Sequence, residues 1–423
     1  MIYLKALGEG ILILGSRRRV VDLLDNRAAN YSDRPDMPMV DMMDLNWSFA
    51  ALPYGVAWRQ HRRAFHQYLN NNAVRKYHPV MNEETKLFLQ RIRSNPDQIF
   101  IGLQFLFGTT IMRTAYGFDD IRHNESLVHN AEKLVLELAE ASIPGRFFVN
   151  NFPLLRYVPS WFPGAGFQKH FKDIAQLNFE TRWTPFEEAK RDIEDGRKGS
   201  HPSMAFSLID RLPEAGDPNR PDLEAIARNV CALAYLAGAE TTVSSATALV
   251  YILANYREVQ TKAQAEVDKV IGPDRLPLVS DREELPYVHA IVKEVSRWYS
   301  VVPLGLAHAN TEDDEYDGYF IPKGTLILQN NWAIMHDPDI FDQPFEFIPE
   351  RYIKDGKVDP SVPDPDIAAF GHGRRICPGR HFSNDALFLM AASLLATYNI
   401  AAPKDEEGNV VPMKLEQRNP AVR

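Results

Sequence analysis

The chain has 423 residues, 45% of them hydrophobic, enough apolar side chain for a large core. Its 47 Lys and Arg against 56 Asp and Glu leave a net charge of -9, which excludes a protein that binds nucleic acid through overall charge. Only two cysteines occur, Cys231 and Cys377, so a disulfide framework, a four-cysteine zinc site and an iron-sulfur cluster are excluded as single-chain sites, and a reducing compartment follows.

Ile2 to Lys5 and Ile11 to Leu14 are apolar runs around Gly8-Glu9-Gly10, which predicts a hairpin. Arg17 to Asn26 reads as a short amphipathic helix. Helical periodicity predicts further helices around Trp58 to Leu69, Met81 to Arg93, Ser126 to Ala141, Leu223 to Asn255, Arg257 to Ile271, Val288 to Tyr299 and Ala386 to Tyr398. Glu187 to Pro221, charged and broken by glycine and proline, reads as a long surface connection. Tyr319 to Ile321 and Leu326 to Leu328, around Pro322-Lys323-Gly324, predict a second hairpin. Asp355 to Asp366 is proline-rich and reads as irregular. The fold class is mostly α with small β-sheets, without internal repeats.

Residues 231 to 254 come nearest to a membrane helix, yet Glu240, Thr241, Thr242, Ser244 and Ser245 sit in the middle. An ionisable group at the bilayer centre costs ~2.5 to 3.5 kcal/mol, so a buried, functional helix is the better reading. Gly238 needs a reason there, because glycine inside a helix costs ~1 kcal/mol relative to alanine. A threonine hydroxyl that bonds back to the i-4 carbonyl bends a helix, and for Thr241 that carbonyl belongs to Ala237.

Phe370 to Gly379 places Cys377 in a glycine-rich loop, between arginines and just ahead of a helical pattern. Neighbouring Arg charges, free N-H groups and the positive end of a helix all lower a thiol pKa. Gly373 and Gly379 lack the Cβ atoms that would keep the backbone from a flat ligand or from positive φ. The loop is built to present one thiolate to one metal.

The spacing Phe370-x-x-Gly373-x-Arg375-x-Cys377-x-Gly379 matches the haem-binding signature of the cytochrome P450 superfamily, and the chain resembles its microsomal fungal members. Ala237-Gly238-Ala239-Glu240-Thr241-Thr242 is similar to the family's oxygen-activation motif. Glu294-x-x-Arg297, Phe347-Ile348-Pro349-Glu350-Arg351 and Trp58-x-x-x-Arg62 match three more of its segments. The resemblance implies a cytochrome P450 fold with one haem domain over residues 1 to 423, a haem b cofactor (iron protoporphyrin IX) and Cys377 as the metal ligand. Phe370 would tune the sulfur, and Gly238 would leave room for dioxygen. Thr241 and Glu240 would be the catalytic residues. Arg62, Arg375, Trp58 and His308, which follows Pro303, would hold the haem propionates. Glu294, Arg297 and Arg351 would form a buried structural network, while Trp47, Phe49, Leu236, Val301 and Leu304 would wall an apolar substrate pocket.

The implied reaction inserts one atom of dioxygen into a small apolar organic substrate, in secondary metabolism or detoxification. No Gly-x-Gly-x-x-Gly follows a strand, so electrons from NADPH would come through a separate flavoprotein reductase. Arg59, Arg62 and Arg63 with His61 and His66, together with Arg374, Arg375, Arg380 and His381, form a candidate basic face for an acidic electron donor. A monomer without nucleic-acid partners is expected. Set beside the family, residues 1 to 423 are expected to be without its N-terminal anchor and part of its C-terminal hairpin, and a full-length form with an anchor would sit on the cytosolic face of the endoplasmic reticulum. The family's proline after Glu-x-x-Arg is missing, since Trp298-Tyr299-Ser300 precedes Val301-Val302-Pro303; this predicts a less rigid loop. Two alternatives stand beside this reading. One is an isomerase or dehydratase acting on peroxides, whose members tend to lose the acid-threonine pair; the other is a non-catalytic haem-binding fragment.

Overall fold

The computed structural model describes residues 1–6, 8–141, 146–197, 199–411 and 413–415, with backbone alone at 121–122. Among these residues nine helices reach 13 residues or more: α1 (Val56–Leu69), α2 (His78–Ser94), α3 (Ile99–Tyr116), α4 (Ile121–Ala141), α5 (Gly166–Glu194), α6 (Arg220–Asn255), α7 (Arg257–Val270), α8 (Pro286–Trp298) and α9 (Arg380–Thr397). The axis of the molecule is α6. Its 36 residues pack most extensively on α3 and also meet α1, α4, α5 and α9. It is long and apolar enough to cross a membrane, but 56% of its apolar window is buried inside the fold, as a core helix requires.

Two long helices have no counterpart in the periodicity. Ile99–Tyr116 is apolar almost all round, and residues 106 to 116 are buried without a break. A helix wrapped by neighbours shows no polar face, so no 3.6-residue signal arises. Helix α5 extends to Glu194 and contains the buried Pro185, while Met204–Ile209 forms a short helix capped by Ser203. The supposed surface connection from Glu187 is therefore helical for its first two turns and again near its centre. At the start of the chain, Arg17–Val20 is α-helical but continues as π-helix through Val21–Asn26.

Strands β1 (Ile2–Ala6) and β2 (Glu9–Leu14) form the predicted antiparallel pair. The second predicted hairpin does not exist. Tyr319–Ile321 pairs backwards with Asp314–Tyr316 through Asp317-Gly318, both at positive φ. An Asp-Gly pair is a stronger two-residue turn signal than Pro-Lys-Gly. Leu326–Gln329 instead runs parallel to β2 and antiparallel to His308–Ala309, completing a four-stranded sheet. A second Asp-Gly turn, Asp355-Gly356, joins Ile353–Lys354 to Lys357–Val358, so the proline-rich segment begins inside a small hairpin.

One ion cluster fastens α8 to the following segment. The Arg297 guanidinium meets the Glu294 carboxylate with Nε and Nη2, each at 2.8 Å, and donates to the carbonyls of Met335, Pro344 and Glu346. Arg351 Nε reaches both Glu294 oxygens at 3.1 Å, and the Ile348 N-H donates to the same carboxylate. Glu294 and Arg297 are fully buried. Removing one partner of such a cluster leaves uncompensated charge in the interior, at a cost of about 3 to 5 kcal/mol. Glu294→Ala should accordingly lower the urea midpoint by that free energy at unchanged m-value; a loss under ~1 kcal/mol would put the cluster in the class of surface ion pairs.

Candidate functional site

The Cys377 loop is closed by its own backbone. The Cys377 N-H donates to the Phe370 carbonyl at 2.7 Å, and Arg380 Nη1 donates to the Cys377 carbonyl at 3.2 Å. Gly373 has φ +58°, and a Cβ there would lie 2.0 Å from the Leu24 carbonyl oxygen. Its N-H donates to Asp25, whose other oxygen lies 3.4 Å from His372 Nδ1. Asp25, in the π-helical segment, thus seats the loop, and nothing in the local sequence marks it. Gly379 differs from expectation: its φ is -89°, and an added Cβ would meet only Cys377 Sγ, at 3.9 Å.

The sulfur also departs from expectation. Loss of water around it pushes the Cys377 thiol up, and the Gly379 N-H, Arg62 and Arg380 only partly offset this. Ionising such a thiol needs a stronger cation, and a coordinated metal deprotonates it outright.

Three guanidiniums crowd the same region. Arg375 donates to the carbonyls of Ser32, Phe49 and Leu52 and stacks 4.8 Å from the buried Trp58 ring. Arg34, which no motif singles out, donates to the carbonyls of Ala50, Leu306 and Ala307. Arg62 has no hydrogen-bond or ion-pair partner among the described residues, and burial lowers it to about 10, with Cys377 close enough to favour its charge. Burial likewise brings Arg375 to about 10, with Arg62 adding to the burden, and Arg34 to about 9, with Arg375 adding to it; the Asp33 charge offsets part of both. Among the described residues no carboxylate lies within ion-pair distance of any of the three. Asp33 turns its Oδ1 to the N-H groups of Arg34 and Tyr54. A metal-bearing group with carboxylates of its own fits these donors.

His308 is held from the other side of its ring: its Nδ1 is 2.8 Å from the Tyr31 carbonyl, so that nitrogen carries the proton. Burial and the charges of Arg34 and Arg375 lower the ring to about 3, a shift that a carboxylate placed beside it would oppose.

On α6, Thr241 Oγ1 donates to the Ala237 carbonyl at 2.9 Å. Ala237 and Thr241, one turn apart, are exposed although Leu236, Ala239, Thr242 and Val243 around them are buried, so this face of a core helix borders open space. Glu240 is half-buried beside it. Gly238 points elsewhere: a Cβ would lie 2.9 Å from Ile111 Cγ1, so the residue permits close approach of α3. The hydroxyls of Thr242 and Ser383 meet at 3.0 Å, tying this stretch of α6 to the first turn of α9, directly after the cysteine loop.

The expected pocket residues do not share one surroundings. Phe49 is buried against Phe65, with its carbonyl on Arg375; Leu236 is buried, Val301 half-buried and Leu304 exposed. Trp47 instead faces Arg182 of α5. The loop without its proline is held otherwise: the Val302 carbonyl accepts from Asn331 and Gly305, and the Pro303 carbonyl from the Trp332 N-H. Arg59 and Arg374 both lie over the Tyr54 ring and are exposed, giving a shared basic surface. His61 does not contribute to it, since it is buried and hydrogen-bonded to Ala57 and Asn229.

A family model described as Cytochrome P450 matches residues 1–419. The chain is 53% identical over 419 residues to a Coprinopsis cinerea protein named cytochrome P450 monooxygenase COX1, covering 98% of this chain and 81% of that one. A second protein of that fungus, cytochrome P450 monooxygenase COX2, is 43% identical over 419 residues, with 99% and 79% covered. A cytochrome P450 monooxygenase of Armillaria gallica is 36% identical over 421 residues, with 98% and 81% covered.

The two loop glycines separate by substitution. Gly373→Ala meets both a positive φ and a backbone oxygen at 2.0 Å, and should destabilise the fold by more than the ~1 to 2 kcal/mol of left-handed strain alone. Gly379→Ala meets neither and should leave the denaturation midpoint of the cofactor-free protein unchanged. Equal midpoints for the two variants would contradict this.

Proposed function

The chain belongs to the cytochrome P450 family and is a haem-dependent monooxygenase, and from that premise we propose that it oxidises a small apolar organic substrate with electrons from NADPH, delivered by a separate flavoprotein reductase. The observation that carries the assignment of its parts is the set of part-buried cations without an ion-paired acid among the described residues, Arg34, Arg375 and Arg62, the last of them close to Cys377. They suit the two propionates of haem b, with Trp58 packed beneath Arg375. Bound there, haem supplies the redox-active iron at which dioxygen is activated. Cys377 provides the thiolate, held in place by its N-H bond to Phe370 and by Asp25 beneath the loop.

Thr241 is the proposed oxygen-handling residue. Its hydroxyl proton is given to the Ala237 carbonyl, which leaves the Oγ1 lone pairs free to accept a hydrogen bond from a water or substrate on the open face of α6. Glu240, next to it, is the proposed proton carrier. The buried faces of Phe49 and Leu236 support an apolar substrate, and secondary metabolism or detoxification is the setting we favour. The exposed Arg59 and Arg374 around Tyr54 support docking of an acidic reductase surface. A membrane-facing position, at the endoplasmic reticulum, is supported by Leu154, Tyr157 and Trp161, each more than 70% exposed within one short segment.

Cys377→Ser should abolish the strongly red-shifted Soret band of the reduced carbon monoxide complex, and an unchanged band would remove the ligand assignment. The double variant Arg62→Ala, Arg375→Ala should retain less haem per chain after gel filtration. Thr241→Ala should keep haem and keep consuming NADPH while product per NADPH falls and hydrogen peroxide rises; wild-type coupling in that variant would show that Thr241 does not handle oxygen.

A further inference from the structure

Outside the cysteine site, a second group of cations lacks acceptors. Arg182 on α5 and Arg228 on α6 both lie on the ring of Trp183, with guanidinium carbons 5.5 and 3.5 Å from its centroid. Arg182 also lies 5.4 Å from the Trp47 ring, so indole and guanidinium alternate through the junction of α5, α6 and the segment before α1. Cation-π contact stabilises each pair, but it does not satisfy the N-H groups at the guanidinium edge. The Nε of Arg182, the Nε of Arg228 and the Nε1 of Trp47 are all buried donors without a partner. Arg228 is 7% exposed and makes no hydrogen bond or ion pair among the described residues.

The nearby acids do not supply the missing acceptors. Asp44 reaches Arg182 only at 4.0 Å, from a side chain more than half exposed; Glu224 is taken by Lys190 at 2.7 Å; and Glu187, whose charge favours that of Arg228, makes no ion pair with it among the described residues. Burial and the charge of Arg228 lower the Arg182 pKa, the sign of a cation that lacks compensation. Leaving a buried donor unmade costs about 1 to 3 kcal/mol, more when the group is charged.

We infer that Arg182, Arg228 and Trp47 form a second ligand site, for an organic carboxylate with an apolar or aromatic body. A carboxylate presents two oxygens to two guanidiniums, and Trp47 and Trp183, whose faces the guanidiniums already cover, surround them with aromatic surface suited to an apolar body. The site does not open on the oxygen-handling face of α6. Arg228 precedes Ala237 by nine residues, about two and a half turns, which puts the two on opposite sides of the helix. The inference therefore goes beyond the proposed function and does not depend on it.

The test titrates 1-naphthoate calorimetrically into the haem-loaded protein saturated with imidazole, which occupies the iron, with 1-naphthamide and sulfate as comparisons. Saturable binding of naphthoate, undiminished by imidazole and at least tenfold tighter than that of naphthamide, is expected. Arg182→Gln and Arg228→Gln should each weaken it at least tenfold while circular dichroism and haem content stay at wild-type values. Should Arg228→Gln fail to fold, Trp47→Phe keeps the ring and removes one donor, and should weaken binding severalfold. Absence of naphthoate binding, equal affinity for naphthamide, displacement by imidazole, or unchanged affinity in Arg182→Gln or Trp47→Phe would each overturn the site. Sulfate binding as tight as that of naphthoate would overturn its assignment to organic carboxylates.

Discussion

Holding positive charge in a part-buried site without an ion-paired acid among the described residues is the constraint on which the site depends. Carbonyl oxygens solvate Arg34 and Arg375 by geometry, but they carry only partial charge, and Arg62 does not have even these. A neutralising side chain nearby would have relieved the strain at once and blocked the use of the cations. The segment from Ser32 to Leu52 supplies several of the carbonyls, so the irregular chain on either side of its short helix, Pro38–Met42, is held by the arginines it solvates. Its irregularity is thus a product of the site, and no local propensity would generate it.

The same logic separates what could be read in the residues from what could not. Helices with one polar face were legible because the pattern repeats every turn, as in α2, α7 and α8. Helix α3 was not, because its neighbours enclose residues 106 to 116 and the polar face that would betray it is missing. Pairing of strands far apart in sequence was equally silent: Leu326–Gln329 finds β2 across more than 300 residues, and its own flanks suggest a hairpin instead. Cys377 and its glycines announce themselves through spacing. Arg34 and Asp25 do not, since each acts on a partner that only the fold brings near. Gly238 and His308 stand at motif positions and also serve the fold, in helix packing and in a bond to the Tyr31 carbonyl.

Helix α6 serves two environments with one surface. Most of it is sealed by α1, α3, α4 and α5, and the sealed part sets its position to within side-chain packing. The strip at Ala237 and Thr241 is left open, and the hydroxyl contact between Thr242 and Ser383 carries the register of that strip onto the helix that follows the cysteine. Two segments from different thirds of the chain are thereby held in a fixed relation through one hydrogen bond beside the opening.

The bond between Asp25 and Gly373 spans 348 positions. Contacts of such separation can form only after most of the chain is available, and closing so long a loop carries a large entropic cost that local structure cannot offset. On a ribosome, Asp25 waits for almost the whole polypeptide before its loop exists. The seat for the cysteine is therefore among the last parts to be assembled. The loop that presents Cys377 takes its seat only when Asp25 and Gly373 meet.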